Sequence, residues 1–532
     1  MSNDSEANFD IVIIGTGLTE SITAAALSKA KYKVAHIDPN AYYGGNEASL
    51  SQDELISWGE AVNEGRHSKF SSFSTSSTTP LPFSRQYSIC LRPSIIPALG
   101  PLISSLIASG VSKYSGFKLL SSVNIYSSNG KIQSVPGSKE DVFHNKEISL
   151  IEKRRLMRFL TFAAGDFEEK VELEGKKERP FIELLTSTFS LSQELSTVIA
   201  YSLAHCVGPS DPALPSLARL RSYLKSIGRY GPSPFLIGHY GGIGDVSQGF
   251  CRASAVHGGV YILGRTITEV EYAPPGSGET SGFTFILDDF PEALHSQLVI
   301  STHGLKPGQL DVPSSSIPVE ETGPYTVARG IIITDRAPIY TNPQQTSAPE
   351  GEEAGAALAP VSVDASLLVF PPSSVGKGSQ THSATVHITG DTSLSTPKGK
   401  WILYIVLPIT GSPPQETAEE VLQPYVDALL ALTEEGQEPI CPLSASYFFE
   451  LPESAPLLGN QLSPKEVRHI TVPPLNYSTF PELPDSATRH AEAVFTFAVQ
   501  AIQFLKGEDI DETEIEFWPP IEENDGDDDS DS

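Results

Sequence analysis

Residues 9–23 read FDIVIIGTGLTESIT, and a second apolar run, KVAHID, ends on Asp38. An apolar strand over 9–14, a glycine turn, an Ala-rich helix over 18–31 and a second strand over 33–37 make a βαβ unit. This unit commits the chain to a parallel sheet with a covering helix, because the crossover must pack its apolar side on the strands it joins. Gly15 and Gly17 stand where a dinucleotide-binding turn needs them. Asp38, 23 residues after Gly15, stands where an acid would hold a ribose.

The third glycine of that pattern is replaced by Glu20, in the first helical turn, where free N–H groups and the helix dipole otherwise hold phosphate. A carboxylate there is itself stabilised by the helix terminus and competes for the same field. At roughly 6 Å from a pyrophosphate charge and an effective dielectric of about 20, it repels by roughly 2–3 kcal/mol. That is about a hundredfold in affinity. Gly15, Gly17, Glu20 and Asp38 therefore read as a vestigial dinucleotide loop, with no cofactor.

Beyond this unit, residues 66–80, RHSKFSSFSTSSTTP, read as a Ser/Thr-rich loop or insertion, and 121–135 as a hairpin about Ser128-Asn129-Gly130. From 139 to about 230 the pattern turns helical. Ser149 and Glu152 make a capping box before IEKRRLMRFLTFAA, LSQELSTVIAYSLAHC follows, and SLARLRSYLKSI carries Leu217, Leu220, Leu224 and Ile227 at helical spacing before Gly228. Strand runs return after Pro234, at 259–263, 283–289, 296–302, 330–334, 366–370 and 401–408, with a Pro-rich surface loop over 340–360. The expected fold class is α/β. A discontinuous domain over 1–138 and 231–507 is interrupted by an all-helical one over 139–230, and an acidic tail covers 508–532.

The formal net charge of −29 argues against nucleic acid as a ligand, since phosphate binding needs clustered Lys and Arg. Much of that charge is local: after Lys506 there are thirteen acids and no base, which reads as a disordered, solubilising tail. Cys90, Cys206, Cys251 and Cys441 lie far apart with no metal spacing, as expected of a reduced cytosolic chain. MSNDSEANFD does not read as a signal peptide, and no C-terminal cysteine invites prenylation. The longest charge-free stretch, residues 93–112, holds three prolines. Its stripe of Leu102, Ile103, Leu106 and Ile107 reads as an amphipathic helix packed on protein.

Four stretches together resemble one known family. They are GTGLTES, DPNAYYGGNEASLS at 38–51, VPGSKEDVFHNKEISLIEKRRLMRFLTF at 135–162 and GRYGPSPFLIGHYGGIGDVSQGFCRASAVHGGVYIL at 228–263. They resemble the Rab escort proteins and Rab GDP-dissociation inhibitors, a superfamily built like FAD-dependent oxidases without the cofactor. YYGGN followed by ISW, VSKYSGFK at 111–118 and the EKRRLMRFLTF stretch favour the escort branch over the dissociation inhibitors. A flavin-dependent oxidoreductase is the distant alternative.

The resemblance implies a non-catalytic accessory subunit, cytoplasmic with transient membrane association. Its partners would be GDP-bound Rab GTPases, the alpha/beta heterodimer of Rab geranylgeranyltransferase and the geranylgeranyl group of prenylated Rab. Carried onto this chain, the Rab-binding platform is Tyr43, Asp245, Gln248 and Arg252. The shorter Asp245 stands where the family often has Glu, and Val260 and Ile262 stand where dissociation inhibitors have Thr and Met. Tyr43 can also be read as a core aromatic, and Asp245 with Arg252 as a structural ion pair. The helical domain would dock the transferase through Arg155, Arg158, Phe159 and Phe162 and shelter the lipid in its apolar interior. The two phenylalanines can also be read as core residues at i, i+3.

Overall fold

In the computed structural model, which describes residues 8–135, 148–274, 281–302, 312–317, 325–339, 364–433, 436–454, 462–507 and 516–519, the βαβ unit forms at the predicted place. Strand Asn8–Ile14 leads through the glycine loop into helix Leu18–Lys29 and back to strand Val34–Asp38. Val260–Leu263, Val34–Asp38, Asn8–Ile14 and Leu294–Ser301 lie parallel in that order. His469–Thr471 adds a further parallel strand beside Leu294–Ser301, and Gly282–Leu287 and Ile267–Ala273 continue the sheet antiparallel.

The crossover helix is buried at every position from Leu18 to Ser28. It is Ala-rich because helix Ile243–Val256 packs on one side of it and helix Leu483–Lys506 on another, so it has no solvent face to make polar. Its serines pair instead: Ser28 Oγ lies 2.8 Å from Ser254 Oγ, and Ser21 Oγ lies 3.2 Å from Cys251 Sγ.

A second sheet, of eight strands among the described residues, runs Phe70–Thr75, Ser444–Glu450, Tyr325–Thr334, Trp401–Thr410, Ala384–Thr389, Ser366–Phe370, Ser122–Tyr126 and Ile132–Ser134. Its first strand corrects the expectation of a loop over 66–80. Phe70–Thr75 pairs antiparallel with Ser444–Glu450, and Phe70 and Phe73 pack edge-on against Trp58. Ser and Thr are at ease here because this is an edge strand with much of its length open to solvent. The hairpin forms as expected, Ser122–Tyr126 turning into Ile132–Ser134. In the 93–112 stretch only Pro101–Ala108 is α-helical; Leu102, Ile103 and Leu106 are buried, but Ile107 is exposed, so the stripe is one residue narrower than read.

Helices Leu150–Ala164, Phe181–Phe189, Gln193–Val198 and Ala213–Ser226 share a core of Phe159, Phe167, Phe181, Leu184, Phe189, Leu217 and Leu220, which meets the second sheet at Val369. Ser149 Oγ accepts from the Glu152 N–H (3.3 Å), and Gly228, at φ 89°, ends the last of these helices. A π-helical turn, Ile199–Leu203, extends the third.

The loop over 340–360, the stretch from 136 to 147 and most of the acidic tail lie outside the described residues. Within the tail, Phe517 and Trp518 dock: Trp518 Nε1 donates to Ser105 Oγ (2.9 Å), and Phe517 packs on Phe495. Among the described residues no helix is long and apolar enough to cross a membrane.

Phe159 is fully buried, with its ring 5.1 Å from that of Phe189. Phe159→Ala is expected to lose about 3–5 kcal/mol of unfolding free energy in urea denaturation. A loss below about 1 kcal/mol would mean that the ring is not part of this core.

Candidate functional site

The glycine loop retains its geometry and has lost its vacancy. Gly15 takes φ 101°, a conformation open to glycine, and its N–H donates to the Ile37 carbonyl (2.8 Å). Asp38 is turned inward. Its Oδ2 accepts from Thr16 N–H (2.8 Å) and Thr16 Oγ1 (2.6 Å), and its Oδ1 from Asn40 N–H (2.8 Å) and Nδ2 (2.9 Å). A carboxylate so engaged has little capacity left for a ribose.

The space above the helix start is filled from within the chain. Glu47 Oε2 accepts the Leu18 N–H (3.1 Å), one of the donors a pyrophosphate would use. A methyl group built on Gly17 would lie 2.6 Å from Glu20 Oε2 and 3.1 Å from Glu47 Oε2, so both carboxyls sit on the glycine backbone. The Gly44-Gly45 turn closes the other side, Gly44 N–H donating to Thr16 Oγ1 (3.0 Å). The residues present do not fit a dinucleotide.

This revises the reading of Glu20. It is buried rather than solvated, and burial, with the Glu47 carboxylate as the next cause, pushes its carboxyl up to about 8. At neutral pH it is mainly the uncharged acid, so it excludes the ligand by occupying volume beside Glu47, not by the repulsion expected of an exposed charge. His36, beneath the loop with Nε2 against the Gly15 carbonyl, is likewise held neutral, burial pulling it down to about 4.

Glu47 is fixed by Arg92, which is wholly buried. Arg92 Nη1 donates to Glu47 Oε1 (2.5 Å), and its Nη2 reaches Glu450 Oε1 (2.8 Å) and the Leu475 carbonyl (2.6 Å). Glu450 also binds Arg329, whose Nε donates to Oε2 (2.7 Å), and faces Lys69 at 3.9 Å. Burial opposes its charge, but Arg329, Arg92 and Lys69 outweigh it and hold the carboxyl down at about 2. The sequence reading missed this network. Its one signal was Arg92 alone in the apolar run SICLRPSIIP.

On the outer side, helix Ile243–Val256 turns Ile243, Val246, Phe250 and Ala253 into the core against Leu18, Ile22 and Ala25. Asp245, Gln248 and Arg252, three and four residues apart, share its opposite face; Gln248 and Arg252 are exposed and Asp245 is partly buried. Asp245 and Arg252 do not pair, being two turns apart. The Arg252 guanidinium lies over the Tyr114 ring at 4.9 Å, and Tyr114 Oη donates to the Gly249 carbonyl (3.1 Å). Burial pushes the Asp245 carboxyl up to about 6. Tyr43 is partly buried rather than core, edge-on to Tyr261 at 5.9 Å, with burial and then nearby Cys251 raising its hydroxyl. Val260 is exposed and Ile262 buried. The structure thus sets carboxyl, amide and guanidinium on one helical face, with Tyr43 near Cys251 of the same helix.

The helix Leu150–Ala164 separates the four residues read as a docking group. Phe159 is core and unreachable, because it sits at the inward i position of an amphipathic helix. Phe162 is partly buried against Phe167 and Phe189. Arg155 and Arg158 remain exposed, the first donating to the Ser190 carbonyl (2.9 Å) and the second 3.6 Å from Glu172.

A family model described as GDP dissociation inhibitor matches residues 4–284. The Drosophila melanogaster Rab proteins geranylgeranyltransferase component A is 34% identical over 328 residues, 58% of this chain and 61% of that protein. The Saccharomyces cerevisiae component A is 30% identical over 434 residues, 81% of this chain and 66% of that protein. The chain spans about three fifths to two thirds of the length of these curated relatives. Among solved structures, a Rab GDI from Plasmodium falciparum superposes with a TM-score of 0.60 at 18% identity, covering 95% of this chain and 99% of its own. An oxidoreductase from Methanosarcina mazei gives 0.54 at 14% identity, covering 91% and 99%. These two share the fold.

The neutral state of Glu20 has a measurable consequence. Its folded value lies above the ordinary 4.5, so its support of the fold is complete below about pH 4.5 and is lost as pH rises toward 8. Glu20→Gln keeps the shape without a proton to lose. It is expected to flatten the stability profile between about pH 5 and 8 and to gain on the order of 3 kcal/mol over wild type at pH 7. Urea denaturation across that range checks it, and profiles that decline in parallel would reject the neutral plug.

Proposed function

The chain belongs to the GDP dissociation inhibitor family, and from that premise we propose that it is an escort for Rab GTPases. It binds them in the GDP-bound, unprenylated form and presents their C-terminal cysteines to the alpha/beta heterodimer of Rab geranylgeranyltransferase. It then delivers the prenylated product to a membrane. The similarity to the component A proteins supports the escort branch.

The observation that carries the reading is the polar row Asp245, Gln248 and Arg252, on a helix whose other face is locked in the core and whose Cys251 lies near Tyr43. Such a row docks a folded protein surface through directed polar contacts. The chain does no bond chemistry in this scheme. It raises the effective concentration of a flexible peptide beside an active site on another protein. Arg155 and Arg158 are the proposed transferase contacts.

The proposed lipid shelter is the interior of the helical unit. Phe159, Phe181 and Phe189 fill it, so a geranylgeranyl chain enters only by displacing side chains. Each methylene it buries returns about 0.8 kcal/mol. The work calls for a cytoplasmic protein that touches membranes transiently.

A dissociation inhibitor that recycles prenylated Rabs is the second reading, favoured by the description of the matching family itself. Reconstitution separates the two. Unprenylated GDP-loaded Rab, geranylgeranyl diphosphate and purified heterodimer are expected to yield prenylated Rab only when this chain is added. No incorporation, with the transferase shown active alongside a known escort, would leave the dissociation inhibitor.

On the same platform, Tyr43→Ala with Arg252→Ala is expected to weaken Rab binding about a hundredfold. Wild-type affinity should also fall as pH drops through about 6, where Asp245 gains its proton, while Asp245→Asn should be flat. Titration calorimetry at several pH values reads both. Undiminished binding by the double variant would reject the platform.

A further inference from the structure

Among the described residues, eleven other than glycine have positive φ, and three of these are large apolar side chains: Phe83 (φ 61°), Tyr240 (51°) and Leu394 (56°). L-residues of this size avoid the left-handed region unless their surroundings force them into it. All three are nevertheless exposed, at 69%, 50% and 45%. Phe83 therefore gains little burial in the free chain to offset the backbone it occupies, and Tyr240 and Leu394 bury only about half of their surface.

Tyr240 and Leu394 belong to one place, and the segment that follows Phe83 is tied to it at Ser88. Tyr240 N–H donates to the Ser393 carbonyl (3.2 Å), Gly241 N–H to Ser395 Oγ (3.0 Å) and Ser88 N–H to the Ser395 carbonyl (2.9 Å). Leu394 sits between these two buried serines, its own N–H donating to the Asp391 carbonyl (3.0 Å). The turn that starts at Phe83 is closed by Gln86 N–H to the Phe83 carbonyl (2.8 Å) and runs directly into Ser88. Three loops from distant parts of the chain are thus tied to one buried hub, and each holds an apolar side chain outward. Strain maintained by surrounding hydrogen bonds and spent on an exposed apolar group points to a binding surface.

The same place is continuous with the polar helical face. Tyr240 leads through Gly241-Gly242 into the helix that carries Asp245. Ser49 Oγ, from the segment following Tyr43, donates to the Gly241 carbonyl (3.0 Å). We propose that Phe83, Tyr240 and Leu394 form an apolar anchor for the folded body of the GDP-bound GTPase, with Asp245, Gln248 and Arg252 as its polar border. An apolar centre beside a polar border is the composition of a specific protein interface. This assignment rests on the reading of the polar face as the GTPase platform.

Asparagine adopts the left-handed region readily, so replacing the three residues by Asn removes the apolar groups and relieves the backbone together. The triple variant Phe83→Asn, Tyr240→Asn, Leu394→Asn is compared with wild type and with Arg252→Ala. Each is titrated with GDP-loaded unprenylated Rab, and each is melted. The expected result is an affinity loss of about tenfold or more with a melting temperature unchanged or raised. Should the triple variant fold poorly, the single changes Tyr240→Gly and Leu394→Gly give the same comparison, with about a threefold loss expected of each.

Wild-type affinity in these variants beside weakened binding by Arg252→Ala would overturn the anchor and leave the platform standing. Wild-type affinity in all of them would overturn both. A variant that instead lost self-association in sedimentation while keeping Rab affinity would reassign the surface to a second copy of the chain and overturn the proposal.

Discussion

Arg92 has no contact with solvent, and its guanidinium joins Glu47, from the short 3-10 turn Gly45–Glu47, to Glu450, from the second sheet, and to the carbonyl of Leu475. Such a pair adds little to stability over a well-packed apolar substitute, but leaving one member unpaired in the interior is severe. Its importance here lies in direction. With one oxygen of Glu47 held by Arg92, the other is aimed at the Leu18 N–H, and the helix start is capped from inside. The misfit to a dinucleotide therefore does not hang on Glu20 alone. Removing that side chain leaves the Glu47 cap, the Arg92 tie and the inward-turned Asp38 in position.

A closed loop also makes a firm footing. The crossover helix is packed on all sides and has no ligand to admit, so the helix laid across it, Ile243–Val256, is presented without a moving part beneath it. Close approach is secured by small residues. A methyl on Gly244 would lie 2.4 Å from Ser49 N, and one on Gly249 would lie 2.8 Å from Val111 Cγ1. Substituents there would lift the helix off its neighbours and tilt the polar row. A surface whose side chains are ordered before binding loses less entropy when it binds.

The βαβ unit, the later parallel strand and the amphipathic helices were legible because each is written in local periodicity and turn chemistry. Phe70–Thr75 was not, because an edge strand half open to water has the composition of a loop. The row Asp245, Gln248 and Arg252 was reachable from the spacing in GDVSQGFCR. The state of Glu20 was not, since it depends on Glu47, 27 positions away, and on burial that only the assembled fold supplies. Phe159 and Phe162 illustrate a subtler limit. Both lie on one helical face by spacing, and only the packing of Phe181 and Phe189 decides that the first is sealed and the second half open.

On the proposed reading, two surfaces made from the same helix pair exchange importance within one fold. In a dinucleotide enzyme the concave side of the glycine turn would hold the ligand and the neighbouring helix would be scaffold. Here the concave side is filled by Glu20, Glu47 and the Gly44-Gly45 turn, and the chemistry-bearing residues stand on the outer face of the neighbour. The two changes reinforce each other. Filling the cavity removes the opening that a cofactor requires, and the rigidity so obtained is what a protein-docking face needs. A fold constrains which elements are rigid and which are open; the side chains set on those elements decide what is bound.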